Sequence, residues 1–180
     1  MFEGDKVKLR GFEKEDVDVA HEAMNNPEMT QYLRMFRPFS KGEEEEWIEG
    51  TWERMQDGEA YCFAVVEKSS GDLVGSASLT DVDDVNRSAE LGIWIKEEYW
   101  GKGYGTEAEK LLLKYGFEEL NLHSIRGRAY ESNKRSKRVM EKVGMKEVGK
   151  LRDGIYRHGE YHDIIYLDIL KEEWEKMQEE

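Results

Sequence analysis

Trp100-Gly101-Lys102-Gly103-Tyr104-Gly105-Thr106-Glu107-Ala108 carries more structural information than any other stretch of this chain. A short apolar run, Leu91 to Ile95, comes just before it. A helical pattern with Ala108, Leu111, Leu112 and Tyr115 on one face comes just after. Three glycines at such a strand-to-helix junction let the backbone approach another molecule closely. The amides that open the helix point into a common concavity, with the positive end of the helix dipole behind them. This is a cradle for pyrophosphate. A Walker loop would need Lys-Ser or Lys-Thr after the glycines, and none is present. A dinucleotide fingerprint would need G-x-G-x-x-G, whereas the spacing here is G-x-G-x-G.

The remaining pattern resembles the acyl-CoA loop of the GNAT N-acyltransferase superfamily, [Q/R]-x-x-G-x-[G/A], with Trp100 where Gln or Arg is usual. The form Trp-Gly-Lys-Gly-Tyr-Gly is similar to the branch that acetylates the N-termini of ribosomal proteins. The substitution is physically mild, because main-chain amides hold the phosphates. Asn133-Lys134-Arg135-Ser136, followed by Glu141-Lys142-Val143-Gly144-Met145, resembles a second segment of that family. Arg157 to Asp163, followed by Ile164 to Leu170, resembles its closing hairpin. The specific part of the resemblance runs from about Arg87 to Trp174, and residues 1 to 60 match in outline.

Length and composition agree with one domain, residues 1 to 180, with enough chain for a sizeable core. No apolar stretch has the length of a membrane span, and the start, Met-Phe-Glu-Gly-Asp, does not read as a signal. A cytoplasmic location is the expectation. The single Cys62 lies in an apolar run and reads as core packing rather than a catalytic thiol. The histidines and the one cysteine offer no metal-binding spacing, so no metal is expected. The net charge is −13 and unevenly spread: Arg126 to Arg138 holds six basic residues against one acidic, Glu131. That local patch suits a polyphosphate. The acidic remainder disfavours nucleic acid and would attract a cationic acceptor such as an amine. Most acidic side chains read as solvated surface.

Along the chain, Val7 to Arg10 reads as a strand, and residues 13 to 25 as a helix ended by Asn25-Asn26-Pro27. Ser40 with Glu43 is a capping box for a second helix that closes at Gly58 and turns Ile48, Trp52 and Met55 inward. Three antiparallel strands follow: Tyr61 to Glu67, Leu73 to Thr80 and Arg87 to Ile95. The glycine loop and its helix lead to a strand, His123 to Ala129. Next come a short helix capped by Asn133 and the last hairpin, Gly144 to Leu151 with His158 to Leu170. A frayed terminal helix, Lys171 to Glu180, ends the chain. The order β-α-α-β-β-β-α-β-α-β-β is that of the GNAT fold: an α/β (α+β) arrangement with a mixed, mostly antiparallel, splayed sheet and helices on both faces. The resemblance places the pantetheine arm in the splay.

The resemblance implies acetyl-CoA as cosubstrate and direct attack by a primary amine in a ternary complex. Trp100, Gly101, Lys102, Gly103, Tyr104, Gly105 and Thr106 would hold the pyrophosphate. The main chain of Ile93, Trp94 and Ile95 would pair with the arm as an added strand and supply an amide to the acetyl oxygen. Arg135 and Arg138, with Lys137 beside them, are contacts for the adenosine phosphates or a solvated helix face. Many family members carry Tyr seven residues after the Asn, but here that position is Met140, which has no proton to give. Ser136 is the substitute donor to the leaving sulfur, or a helix Ser without a chemical role. Asn133 orders the cofactor arm, caps its helix, or does both. Glu90 is the first choice of general base, directly or through water, against a role in orienting substrate. Tyr130, Glu131 and His123 are weaker choices. The acceptor belongs between the first two helices and the last hairpin, a region made aromatic by Tyr32, Phe36, Phe39, Trp47 and Trp52. Most of these rings should be core, with Tyr32 and Phe36 near the mouth together with Glu90 and Tyr130.

Three functions compete. The first is acetylation of a protein or peptide N-terminal amine. The second is acetylation of a polyamine, since Arg87-Ser88-Ala89-Glu90 and Leu120-Asn121-Leu122-His123 resemble the spermidine branch. The third is an acetyl-CoA-binding sensor without turnover. The expected partners are acetyl-CoA and an amine, with no nucleic acid or membrane, for a monomer or homodimer.

Overall fold

A computed structural model describes residues 2–33 and 37–179. Two short strands open the chain, β1 (Phe2–Glu3) and β2 (Val7–Arg10). Four helices follow: α1 (Val17–Asn25), α2 (Pro27–Thr30), α3 (Lys41–Glu49) and α4 (Thr51–Gln56). Then come β3 (Tyr61–Glu67), β4 (Leu73–Asp83), β5 (Ser88–Ile95) and α5 (Tyr104–Lys114). The chain ends with β6 (Ser124–Tyr130), α6 (Lys134–Lys142), β7 (Lys146–Arg157), β8 (Glu160–Leu170) and α7 (Lys171–Glu179). The eight strands among the described residues form one sheet, in the order β1-β2-β3-β4-β5-β6-β8-β7. Every pairing is antiparallel except β5 with β6.

That parallel pairing creates the cleft. It runs from Ser88↔Ser124 to Leu91↔Gly127 and stops. Beyond it, β5 continues with β4 as far as Ile95, and β6 continues with β8 as far as Tyr130. Divergence of two strands whose other edges stay paired splits the sheet at its centre. Side chains alternate across it. Ala89, Leu91, Ile95, Ile125 and Ala129 pack with Ala108, Leu112 and Met140 on the α5–α6 face. Trp94 packs on the opposite face, against the cluster of Ala23, Met24 and Met29.

Local chemistry explains the start of α3 and the turn of the last hairpin. The Ser40 hydroxyl accepts from the Glu43 amide, and the Glu43 carboxylate accepts from the Ser40 amide, as the capping box requires. Arg37 adds a bidentate ion pair to the same carboxylate, which is held down at about 2 mainly by that arginine. The β7–β8 turn has positive φ at both His158 (50°) and Gly159 (86°), the two-residue geometry that suits the twist of a hairpin.

Several sequence expectations need correction. The second helix is two, because the chain turns at Gly50. That turn leaves Trp52 64% exposed instead of inward, while Ile48 is buried. Trp47 is also partly exposed and stacks edge-on against Phe12. The first helix begins as a 3-10 turn, Lys14–Asp16, and Pro27 ends one helix but opens another, at the first position where its missing N–H costs nothing. β4 runs on to Asp83, whose carboxylate accepts from the amides of Val85 and Asn86 and closes the Asp-rich turn. The terminal helix is anchored rather than frayed: Trp174 is buried against Phe117, with ring centroids 5.4 Å apart.

Candidate active site

The split sheet opens into a cleft of about 780 Å³ bounded by β5, β6, α5, α6 and the segment around Met29 to Leu33. The glycine loop forms one end of it. Gly101 and Gly103 both take positive φ, 74° and 90°, and Gly103 is the residue from which α5 starts. No side chain among the described residues caps that start, so the first-turn amides of an eleven-residue helix are left open at the cleft. The loop is tied to the body of the protein away from the cleft. The Glu107 carboxylate accepts from the Lys6 amide at 3.0 Å, and the Tyr104 hydroxyl donates to Glu67, which raises the phenol to about 12.

Trp100, unusual at its position by sequence, has a structural use. Its indole N–H donates to the Ile95 carbonyl at 2.6 Å, tying loop to strand. Its ring carries the Arg135 guanidinium at 3.7 Å from the centroid. Arg135 is thereby positioned at the loop before any anion arrives. Arg138 also lines the cleft. Lys137 does not: it pairs with Glu147 at 2.6 Å and Glu141 at 3.7 Å on the outer side of α6. Lys102 is likewise turned away, its ammonium over the Tyr99 ring and its carbonyl accepting from Lys6.

The free edge of β5 is narrower than the sequence suggested. Lys96 donates to Val74, and the carbonyls of Gly92 and Glu90 face β4 hydroxyls. Alternation in an antiparallel pair therefore turns the amide and carbonyl of Trp94 toward β4 as well. Ile93 and Ile95 present theirs to the split, and the Ile95 carbonyl is already taken by Trp100. Trp94 contributes a side chain to the cleft wall, not an edge for an added strand.

On the α1–α2 face of the split, Glu90 is 9% exposed and sits among arginines: its carboxylate is 2.8 Å from Arg128 Nε and 3.8 Å from Arg126 Nε. Tyr130, buried further along β6, lines the same cleft and donates to the Leu33 carbonyl at 3.2 Å, and Tyr32 packs against the cluster of Tyr130, Ile155 and Ile164. Phe36 lies outside the described residues. On the other face, the Asn133 side chain accepts from the Ser136 amide at 3.1 Å and caps α6. Asn133, Ser136 and the buried Met140 all line the cleft. Cys62 is buried in β3, away from the cleft, and burial pushes its thiol up.

Sequence reasoning missed Glu109. It is 0% exposed, lines the cleft, and neither carboxylate oxygen has a hydrogen-bond partner among the described residues. Burial alone raises its pKa from the ordinary 4.5 to about 8. Between those values the folded chain keeps a proton that the unfolded chain has lost, so stability falls as pH rises through the window. The slope is at most ~1.4 kcal/mol per pH unit. Urea unfolding at pH 5 and pH 8 should show this loss in the wild type and a smaller one in Glu109→Leu. Equal losses in both would place the proton elsewhere.

Residues 6–146 match the family model for the acetyltransferase (GNAT) domain. The chain belongs to the GNAT acetyltransferases. As a member it is an acetyl-CoA-dependent N-acetyltransferase, and the reading as a sensor without turnover gives way to an enzyme. Among similar proteins, YdaF of Bacillus subtilis, provisionally named a ribosomal N-acetyltransferase, is 47% identical over 105 residues. That match spans 58% of this chain and 57% of YdaF. A crystal structure named as a probable acetyltransferase is 34% identical, with a TM-score of 0.87, covering 95% of this chain and 96% of that one. The spermidine N-acetyltransferase of Vibrio cholerae, solved with CoA and spermine, is 28% identical with a TM-score of 0.85, covering 93% and 97%. No described helix of this GNAT enzyme is long and apolar enough to cross a membrane.

Proposed function

We propose that this GNAT enzyme acetylates the N-terminal amine of a protein or peptide, in the cytoplasm. The observation that carries the reading is the setting of Glu90. A carboxylate held between Arg126 and Arg128 can receive one amine but surrounds it with positive charge. A polyamine brings further cationic centres, which those guanidiniums repel. A peptide brings neutral amides behind its single amine. The 47% identity to YdaF agrees with this choice.

In this account the amides of Gly103 to Thr106 hold the pyrophosphate, Trp100 and Arg135 close over it, and Arg138 adds charge. Ile93 offers its main chain to the arm of acetyl-CoA. The amine nitrogen attacks the thioester carbonyl carbon, and the developing oxyanion is met by a β5 amide. Glu90 takes the amine proton, directly or through water. The carbon–sulfur bond then breaks, and the Ser136 hydroxyl hydrogen-bonds the departing sulfur. Asn133 orders the start of α6, and Tyr32 and Tyr130 line the acceptor side.

The likeness to the Vibrio cholerae spermidine enzyme favours a second reading, a polyamine acceptor. Thiol release from acetyl-CoA, measured across peptides with varied N-termini and across polyamines, separates the two. Turnover with peptides and little with polyamines is expected. Efficient turnover confined to polyamines would overturn the peptide reading.

A further inference from the structure

We propose that the Glu109 carboxyl hydrogen-bonds the amide-bearing arm of acyl-CoA on the side opposite β5. The inference rests on the acetyl-CoA reading of the cleft and assigns that site a binding residue. A carboxyl group that is wholly buried without a partner is rare, because burying an unpaired polar group is costly. Such a group persists where something else completes its hydrogen bonds.

Its place in the fold says what that is. Glu109 lies one helical turn beyond Gly105, on the same face of α5. A side chain at Gly105 would meet Ile95 of β5 and Val139 of α6, so this face looks into the space between strand and helix at the split. Glu109 is six residues, about 9 Å along the axis, from the helix start that cradles the pyrophosphate. A ligand anchored there by its phosphates and running down the cleft passes Glu109 with its arm, not with its adenosine.

The chemistry matches as well. β5 can satisfy one edge of the arm through Ile93. On the opposite side the nearby α6 side chains, Val139 and Met140, are apolar, and an amide turned toward them would lose its hydrogen bonds to water. A neutral carboxyl supplies one donor and an acceptor together, which complements an amide. The raised pKa, about 8, keeps the proton in place near neutrality. The charged groups that line the cleft are Glu90, Arg128, Lys134, Arg135, Arg138 and Lys142, and burial alone accounts for the shift.

The test compares two probes by calorimetry near neutral pH: acetyl-CoA, and adenosine 3′,5′-bisphosphate, which has no arm. Glu109→Leu should weaken acetyl-CoA binding about tenfold, a loss of the size of one hydrogen bond. The same variant should leave the bisphosphate unchanged. Glu109→Gln, which keeps a donor and an acceptor, should bind acetyl-CoA within about threefold of the wild type. A Leu variant that binds acetyl-CoA as the wild type does, or that loses both probes equally, overturns the proposal. If the wild type binds neither probe, the acetyl-CoA reading itself fails and takes the inference with it. Thermal melts accompany each variant, and since Leu replaces an unpartnered polar group in an apolar setting, the fold should survive.

Discussion

Gly103→Glu is expected to abolish acetyl-CoA binding while the protein still folds. Gly103 sits at φ 90° at the start of α5, a conformation that costs a side-chain-bearing residue ~1–2 kcal/mol. Space is not the obstacle: an added Cβ would meet only the Lys6 ammonium, at 3.4 Å. The damage comes from charge. A carboxylate at the mouth of the amide cradle competes for the amides and repels the incoming pyrophosphate. Like-charge juxtaposition costs several kcal/mol, so affinity should fall by at least ~100-fold. Gly103→Ala, which brings the backbone strain without the charge, should lose far less. Calorimetric titration together with circular dichroism melts reads both effects. A Glu variant that binds normally would remove the loop from the binding site.

The second large effect is expected from Glu90→Gln. If Glu90 receives the amine proton, kcat should fall by ~10²–10⁴-fold, the usual size of a general-base contribution. The dissociation constant for acetyl-CoA should move less than about threefold, because Glu90 lies on the α1–α2 face of the split, the side proposed for the acceptor. The competing role is structural, since the same carboxylate pairs with Arg128 and Arg126. A purely structural Glu90 would give a lower melting temperature with kcat intact. Steady-state rates and melts on the same preparation distinguish the two, and an unchanged kcat would rule out base catalysis.

What could be read from the sequence is what depends on neighbours along the chain. The glycine loop, the capping box at Ser40 and Glu43, the cap at Asn133 and the order of strands are local patterns, and the structure contains each of them. The place of the split, between the strand before the glycine loop and the strand after its helix, follows from the resemblance to the GNAT fold. What escaped depends on register and packing between distant segments. The arginines around Glu90 come from β6, opposite it only once Glu90↔Arg126 is known. The direction of the Trp94 amide follows from the β4–β5 register. The Trp100–Arg135 stack joins a loop to a helix thirty-five positions on. Trp52 faces outward because the chain turns at Gly50, which a helical periodicity alone does not show. Glu109 is not singled out by its sequence because a carboxylate in a helix ordinarily reads as solvated. Its spacing from Gly105 and Leu112 was the available signal that it shares the inner face.

The most direct test of the account is a crystal structure of the protein with CoA bound. The account predicts the pyrophosphate on the amides of Gly103 to Thr106, with Arg135 alongside, and the arm running between β5 and β6 with its amides paired to Ile93. CoA bound outside the split, or with its phosphates away from the start of α5, would contradict it.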